Sequence, residues 1–240
     1  MSMKKSMTMR TLGIAAAALA VLSLAGPAAA GTVAGKVTFD GKAPALKPLD
    51  MNADPACAAK HDSPVPPDLL VLGPGNSLAN VFVSVKNAPA GEAPKGKVTI
   101  DQKGCMYVPH VVGVGVGAEL VFKNSDGVLH NVHGLSKVNR EFNIGMPANL
   151  KEKAQVLNKP EPVFPVKCDV HPWMRAYVAV MTHPYFDVTG TDGKFSIANL
   201  PAGSYDIEVW HEKLGTATQK VTVGASDTAT ADFALKVPAK

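Results

Sequence analysis

The sequence predicts an all-β protein of sandwich type, and three observations carry that expectation. Apolar residues alternate in short runs. The 21 glycines and 19 prolines of the 240-residue chain fall largely between those runs. No long stretch repeats its apolar residues with the helical period.

The first 30 residues stand apart. Lys4, Lys5 and Arg10 precede an apolar run from Leu12 to Leu24, followed by Gly26-Pro27 and Ala28-Ala29-Ala30. That order is expected of a signal peptide, residues 1–30, cleaved after Ala30, which implies a periplasmic or secreted protein. The run is too short for a comfortable membrane span, and no later stretch is apolar enough to make one. Without this segment, the 24 basic and 20 acidic residues become 21 against 20, a net charge of +1. No basic stripe remains for a nucleic acid to bind.

The remaining 210 residues suffice for one large or two small domains. Val33-Ala34-Gly35-Lys36-Val37-Thr38-Phe39 alternates and runs into Asp40-Gly41, a strand entering a turn. Residues 41–80, rich in Pro, Ala and Asp, read as irregular connection around Cys57, and Val81-Phe82-Val83-Ser84-Val85 reads as a strand. After a turn-rich stretch from Asn87 to Lys97 come strands at Val98-Thr99-Ile100, Met106-Tyr107-Val108, 111–116 and 120–124, then the turn Ser125-Asp126-Gly127. Residues 134–160 are polar and show no regular pattern. Val163-Phe164-Pro165-Val166-Lys167 reads as a strand whose proline belongs at an edge or facing outward. Ala176 to Met181 is the next strand, so Cys168-Asp169-Val170-His171-Pro172-Trp173-Met174 is a loop pinned by a sheet at both ends.

That loop presents a thiol, an imidazole and a thioether three residues apart, and Leu129-His130-Asn131-Val132-His133 offers a second imidazole. Cys, two His and a weak Met form the ligand set of a blue-copper electron-transfer site, with one copper ion cycling between Cu(I) and Cu(II). Zinc takes Cys, His and carboxylates but not usually Met. Haem attachment needs Cys-x-x-Cys-His, which is absent. His110 and His133 are expected to be packed or solvated rather than ligating.

Cys57, Cys105 and Cys168 are the only cysteines. In an oxidising compartment two should pair, and a metal-bound thiolate gives the third a reason to stay free. Cys57–Cys105 is the pairing compatible with the site; pairing of Cys168 with either of the others would destroy it.

The segments His130-Asn131-Val132-His133 and Cys168-x-x-His171-Pro172-x-Met174-Arg175 resemble the cupredoxins, amicyanins and plastocyanins among them, over residues 98–182. The resemblance implies a Greek-key β-sandwich with His130, Cys168, His171 and Met174 as copper ligands. It also implies that Asn131 ties the two ligand-bearing loops together. Three departures stand out: Asp169 follows the cysteine where Thr or Ser is usual, Val166 replaces an aromatic residue, and Leu129 replaces a proline. Asp169 is expected to bring a negative charge close to the thiolate. Pro172 and Trp173, around an exposed ligand histidine, are expected to form a docking patch for a redox protein.

Beyond His183-Pro184, Thr191-Asp192-Gly193-Lys194-Phe195 reads as a hairpin signal. Tyr205, Ile207 and Val209 alternate after the turn 199–204, as do Val221 with Val223 and Phe233 with Leu235. This stretch, residues 183–240, resembles the carboxypeptidase regulatory-like (prealbumin-like) β-sandwich modules, which implies support or attachment. It is small for an independent sandwich, and strands within residues 31–97 are candidates to complete it, with the copper domain as an insertion. His183 and His211 are expected to be separate histidines.

The chain therefore reads as an exported, non-enzymatic copper protein carrying single electrons. Copper storage, delivery or sensing, and a structural envelope module with a cupredoxin-like fold, are the alternatives.

Overall fold

A computed structural model describes residue 3 and residues 30–238. The expected signal peptide lies, but for Met3 and Ala30, outside the described residues. Among those described, no helix is long and apolar enough to cross a membrane.

Among the described residues, seventeen strands make four sheets in two lobes. The strand β1 (Ala30–Phe39) buries Val33, Val37 and Phe39 on one face, as its alternation dictates. It pairs antiparallel with β13 (Lys194–Pro201) and parallel with β16 (Thr228–Thr230) and β17 (Phe233–Leu235). The facing sheet runs β12 (Phe186–Val188), β2 (Phe82–Val85), β14 (Gly203–His211), β15 (Gly215–Val223). Tyr205, Ile207 and Val209 on β14 meet Val33, Ile197 and Phe233 in one core. Strands from both ends of the chain thus close a single support lobe.

Between β2 and β12 lies the second lobe. One of its sheets has the order β4 (Met106–Val108), β3 (Val98–Lys103), β6 (Glu119–Asn124), β9 (Glu152–Val156). The other has β5 (Val111–Gly115), β11 (Arg175–Met181), β10 (Glu161–Lys167), β7 (His130–Gly134), β8 (Phe142–Met146). Their inner faces bury Ile100, Leu120, Phe122, Val132, Val166 and Val178 together with Cys168 and Met174. The lobes meet through a smaller apolar cluster of Phe82, Val111, Tyr177 and Ala179, joined by Phe186 and Trp210. Gly113 is required there, because a Cβ would come within 2.3 Å of the Phe186 ring.

Two expectations are corrected, and a third holds in one of its two forms. The polar stretch 134–160 contains β8 and β9, which terminate their sheets. β9 leaves four of its five residues exposed, so no apolar alternation marks it. Pro165 lies on an interior strand, since β10 pairs with both β11 and β7, and meets the other alternative: between buried Phe164 and Val166 it faces away from the core. It is tolerated because paired residues on the β7 side begin at Val166, and Pro165 contributes its carbonyl, which accepts from Leu135 N–H at 3.0 Å. Finally, the turn at Gly193 (φ 71°) closes no hairpin. β12 pairs with β2 while β13 pairs with β1, so the turn carries the chain from one sheet to the other.

Candidate metal centre

His130 opens β7 from the turn that follows β6, and Cys168 and His171 lie on the loop between β10 and β11. Because β7 and β10 are neighbours, with Lys167 opposite His133, the two ligand-bearing stretches emerge side by side. His130, Cys168 and His171 are almost wholly buried, and their ligand atoms lie within 4.8 Å of one another. Nδ1 of His130 is 2.9 Å from Nδ1 of His171, which is 3.7 Å from Cys168 Sγ. Met174 is buried in the same core, and its backbone closes the loop. Its carbonyl accepts from Cys168 N–H at 3.2 Å, and its N–H donates to His171 O at 2.9 Å.

The outer nitrogen of each imidazole has a carboxylate. His130 Nε2 is 3.0 Å from Asp126 Oδ2, and His171 Nε2 is 2.9 Å from Asp54 Oδ2. A carboxylate there fixes the tautomer: Nε2 carries the proton and Nδ1 presents a lone pair. Two lone pairs then face one another across 2.9 Å in a buried space, an arrangement that a shared proton or a cation reconciles. The donor set therefore fits a metal ion. A soft thiolate with two imidazoles suits copper.

The electrostatics agree. Burial opposes ionisation of Cys168, but the neighbouring His130 ring and hydrogen bonds from backbone N–H groups outweigh it and draw the thiol down to about 7. Burial likewise opposes charge on His130, yet its bonds to Asp126 and Cys168 leave its pKa raised. At Asp126, too, burial raises the pKa and is outweighed by bonds from His130 and from the backbone N–H groups of Cys105 and Gly104, so the carboxylate range is lowered.

Asn131 ties the loops as expected of its position. Its Oδ1 accepts from Asp169 N–H at 2.6 Å and from the Cys168 thiol at 3.3 Å, and its own N–H donates to Cys168 Sγ at 3.5 Å. Tyr107 fastens the same strands from below, donating to Asn131 O at 2.6 Å. The Asp169 carboxylate is turned toward Lys167 Nζ (2.9 Å), His133 Nδ1 (2.9 Å), Asn131 Nδ2 (3.0 Å) and Asn143 Nδ2 (2.9 Å). Lys167 foremost, with desolvation opposing and the amides and His133 assisting, holds its carboxyl far below the usual carboxylate range. The charge is thus largely compensated before it reaches the thiolate. His133 is a partner of Asp169 and Glu141 rather than a ligand.

The docking expectation for Pro172 and Trp173 needs correction, because the ligand histidine is not exposed. His171 is 1% exposed, beneath a lid from the irregular segment 41–80. The lid centres on α1 (Pro55–Ala58), whose N-cap Asp54 accepts from Ala56 N–H with one carboxylate oxygen and faces His171 with the other. Cys57 in α1 is bonded to Cys105, and Cys57 Sγ lies 3.5 Å from His171 Nε2. Lys60 donates to Asp126 O, and His61 Nε2 is 2.8 Å from Gly104 O. Pro172 remains exposed, whereas half-buried Trp173 packs against His171 at a tilt of 46°, with ring centroids 5.1 Å apart. Cys168 is the one free cysteine.

Sequence reasoning missed Asp54, Asp126 and Asn143. Asp126 stands four residues before His130, inside what reads only as a turn, and its two oxygens also accept from the N–H groups of Gly104 and Cys105 at 2.7 and 2.8 Å. Asp54-Pro55 carries a helix-start signal, but nothing local points it at His171. His183 stacks on Tyr185 while His211 is buried on β14, and neither belongs to a metal-competent cluster among the described residues.

Residues 172–236 match the family model of the carboxypeptidase regulatory-like domain. No curated protein matches the chain. Among solved structures it is similar to a copper-containing nitrite reductase from Thermus scotoductus SA-01, at 20% identity and TM-score 0.33, over 36% of this chain and 22% of that one. It is similar also to a purple cupredoxin from Nitrosopumilus maritimus, at 21% identity and TM-score 0.30, over 35% of this chain and 99% of that one. A variant of amicyanin in its oxidised state matches at 21% identity and TM-score 0.33, over 41% of this chain and 98% of that one. The chain spans only about a fifth of the reductase. The described residues form a nearly all-β structure of two sandwich lobes, and most of the stretch that matches the carboxypeptidase regulatory-like model lies in the support lobe.

Proposed function

We propose that this is an exported mononuclear copper protein that carries single electrons between redox partners, with His130, Cys168 and His171 as the strong ligands and Met174 as the weak one. The observation that carries the reading is the pair of buried Nδ1 atoms 2.9 Å apart, both freed for a metal by carboxylates on Nε2, with a thiol beside them. Copper bound there supplies a one-electron couple. The chain's part is to hold the donors still. Asn131 and Tyr107 lock the strands that bear them, and Asp54 and Asp126 fix both imidazole tautomers. The Cys57–Cys105 bridge suits the oxidising compartment that the N-terminal sequence implies.

Copper(II) added to the metal-free protein should produce an intense visible thiolate-to-copper band, absent in Cys168→Ser. Lack of that band in loaded wild type would sink the reading. One observation favours storage as the second reading: the lid covers His171, and a covered site would exchange its ion slowly. Reversible one-electron voltammetry supports transfer. Slow release to a chelator without a reversible wave supports storage.

A further inference from the structure

The lid is fastened where two sets of metal-ligating side chains meet. Cys57, in α1, is bonded to Cys105, in the turn between β3 and β4. Asp54, Cys57 and His171 form one group whose donor atoms lie within 4.8 Å of one another, and Cys105, Asp126 and His130 form another. The bridge joins the two groups. Cys57 Sγ is 3.5 Å from Nε2 of His171, whereas Cys168 Sγ is 3.7 Å from its Nδ1, so the bridge and the copper site lie against different edges of that ring.

Each imidazole already turns Nδ1 to the copper site and its Nε2 proton to Asp54 or Asp126. What remains beyond them is two sulfurs and two carboxylates. Thiolate is the form of cysteine that binds metal, so reduction turns the bridge into half of a site whose other half is already built. Thiolate and carboxylate are both zinc ligands, four such groups close a tetrahedral site, and a Zn–S bond is about 2.3 Å. With their Cα atoms 5.6 Å apart, both thiolates reach one ion by side-chain rotation. Each carboxylate keeps a lone pair for its histidine while it binds the ion. The side chain of Asp54 is 31% exposed beside two buried cysteines, which gives the ion its way in. Lys60 Nζ, 3.6 Å from Asp126 Oδ1, offsets part of the charge of four anionic ligands.

We propose that the reduced protein binds a zinc ion through Cys57, Cys105, Asp54 and Asp126. A dithiol supplies two electrons and two protons, converts the S–S bond to two thiols and leaves as a disulfide; the ion then displaces both protons. Zinc thereby takes over from the bridge in holding the lid. The site does not depend on the copper reading, because Cys168 takes no part in it.

The test uses the full-length, metal-free Cys168→Ser protein, which lacks the copper-site thiol, with cobalt(II) as the probe. Reduced with a phosphine, it should give a thiolate-to-cobalt charge-transfer band that saturates at one ion per chain and is displaced by zinc. Left oxidised, it should give no such band. Asp54→Asn in the same background keeps a capping side chain on α1 but should weaken cobalt binding by at least about tenfold. No band in the reduced protein, an equal band in denaturing urea, unchanged affinity in Asp54→Asn, or a bridge that opens only when the protein unfolds would each overturn the proposal.

Discussion

Replacing Glu161 by Gln should cost the protein stability in a pH-dependent way whose size follows from the site. Glu161, at the start of the strand that leads to Cys168, is 5% exposed. Its carboxylate accepts from Ser136 Oγ (2.6 Å), Lys137 N–H (2.6 Å), Val138 N–H (3.0 Å), Asn139 N–H (3.2 Å) and Asn139 Nδ2 (3.0 Å). Burial raises its pKa, but those donors outweigh it and bring the group from 4.5 to about 2. A carboxylate with a depressed folded-state pKa contributes stability that is fully present above the unfolded value and is lost as pH falls toward the folded one. The window here runs from about 4.5 down to about 2. The shift corresponds to roughly 3 kcal/mol at pH 7 and roughly 1 kcal/mol at pH 3. Urea unfolding of the metal-free protein, followed by tryptophan fluorescence, should therefore show a wild-type advantage over Glu161→Gln that shrinks by more than half between those pH values. The pH 7 difference would appear as a melting temperature lower by about 5–10 °C. A gap that stays constant with pH, or one below about 0.5 kcal/mol at pH 7, would refute the reasoning.

Other consequences can be measured separately. Asn131→Ala removes the acceptor for Asp169 N–H and should weaken copper binding about 10- to 100-fold in competition with a chelator; unchanged affinity would show that the loops hold without it. Asp54→Ala deletes the cap of α1, worth about 1 kcal/mol. Proteolysis within residues 50–61 should then speed up about fivefold, whereas an unchanged rate would mean that the lid is held by other contacts. Replacing Cys57 and Cys105 together by Ala opens a loop of sequence separation 48, with an expected loss of about 4 kcal/mol. A loss below about 1 kcal/mol would show that the lid is not held mainly by the bridge.

The candidate ligands were legible in the sequence because they are local. Cys168, His171 and Met174 occupy one loop between two alternating strands, and His130 follows a recognisable turn. What surrounds them was less so. Asp54, Cys57 and Lys60 lie on a segment with no period, and their approach to His171 and Asp126 depends on where that segment is laid down rather than on any spacing within it. The same holds for Glu212, which reaches His110 from the support lobe across the lobe junction. β9 went unseen because an edge strand with both faces wet has no alternation to display. Asp169 was visible as an unusual charge, but its neutralising partners Lys167 and His133 become its neighbours only once β7 and β10 pair.

The route of the chain through its two lobes sets an order of assembly. β1 is the first described strand, yet every strand it pairs with lies between Lys194 and Leu235; the bond from Lys36 N–H to Asp232 spans 196 residues. The support lobe therefore waits for residues 194–235, whereas all sheet partners of the inserted lobe lie between Val98 and Met181. Contacts of short sequence separation form first because less entropy is lost in closing their loops. During synthesis, the lobe that bears the candidate metal centre can fold while the support lobe is still an open chain.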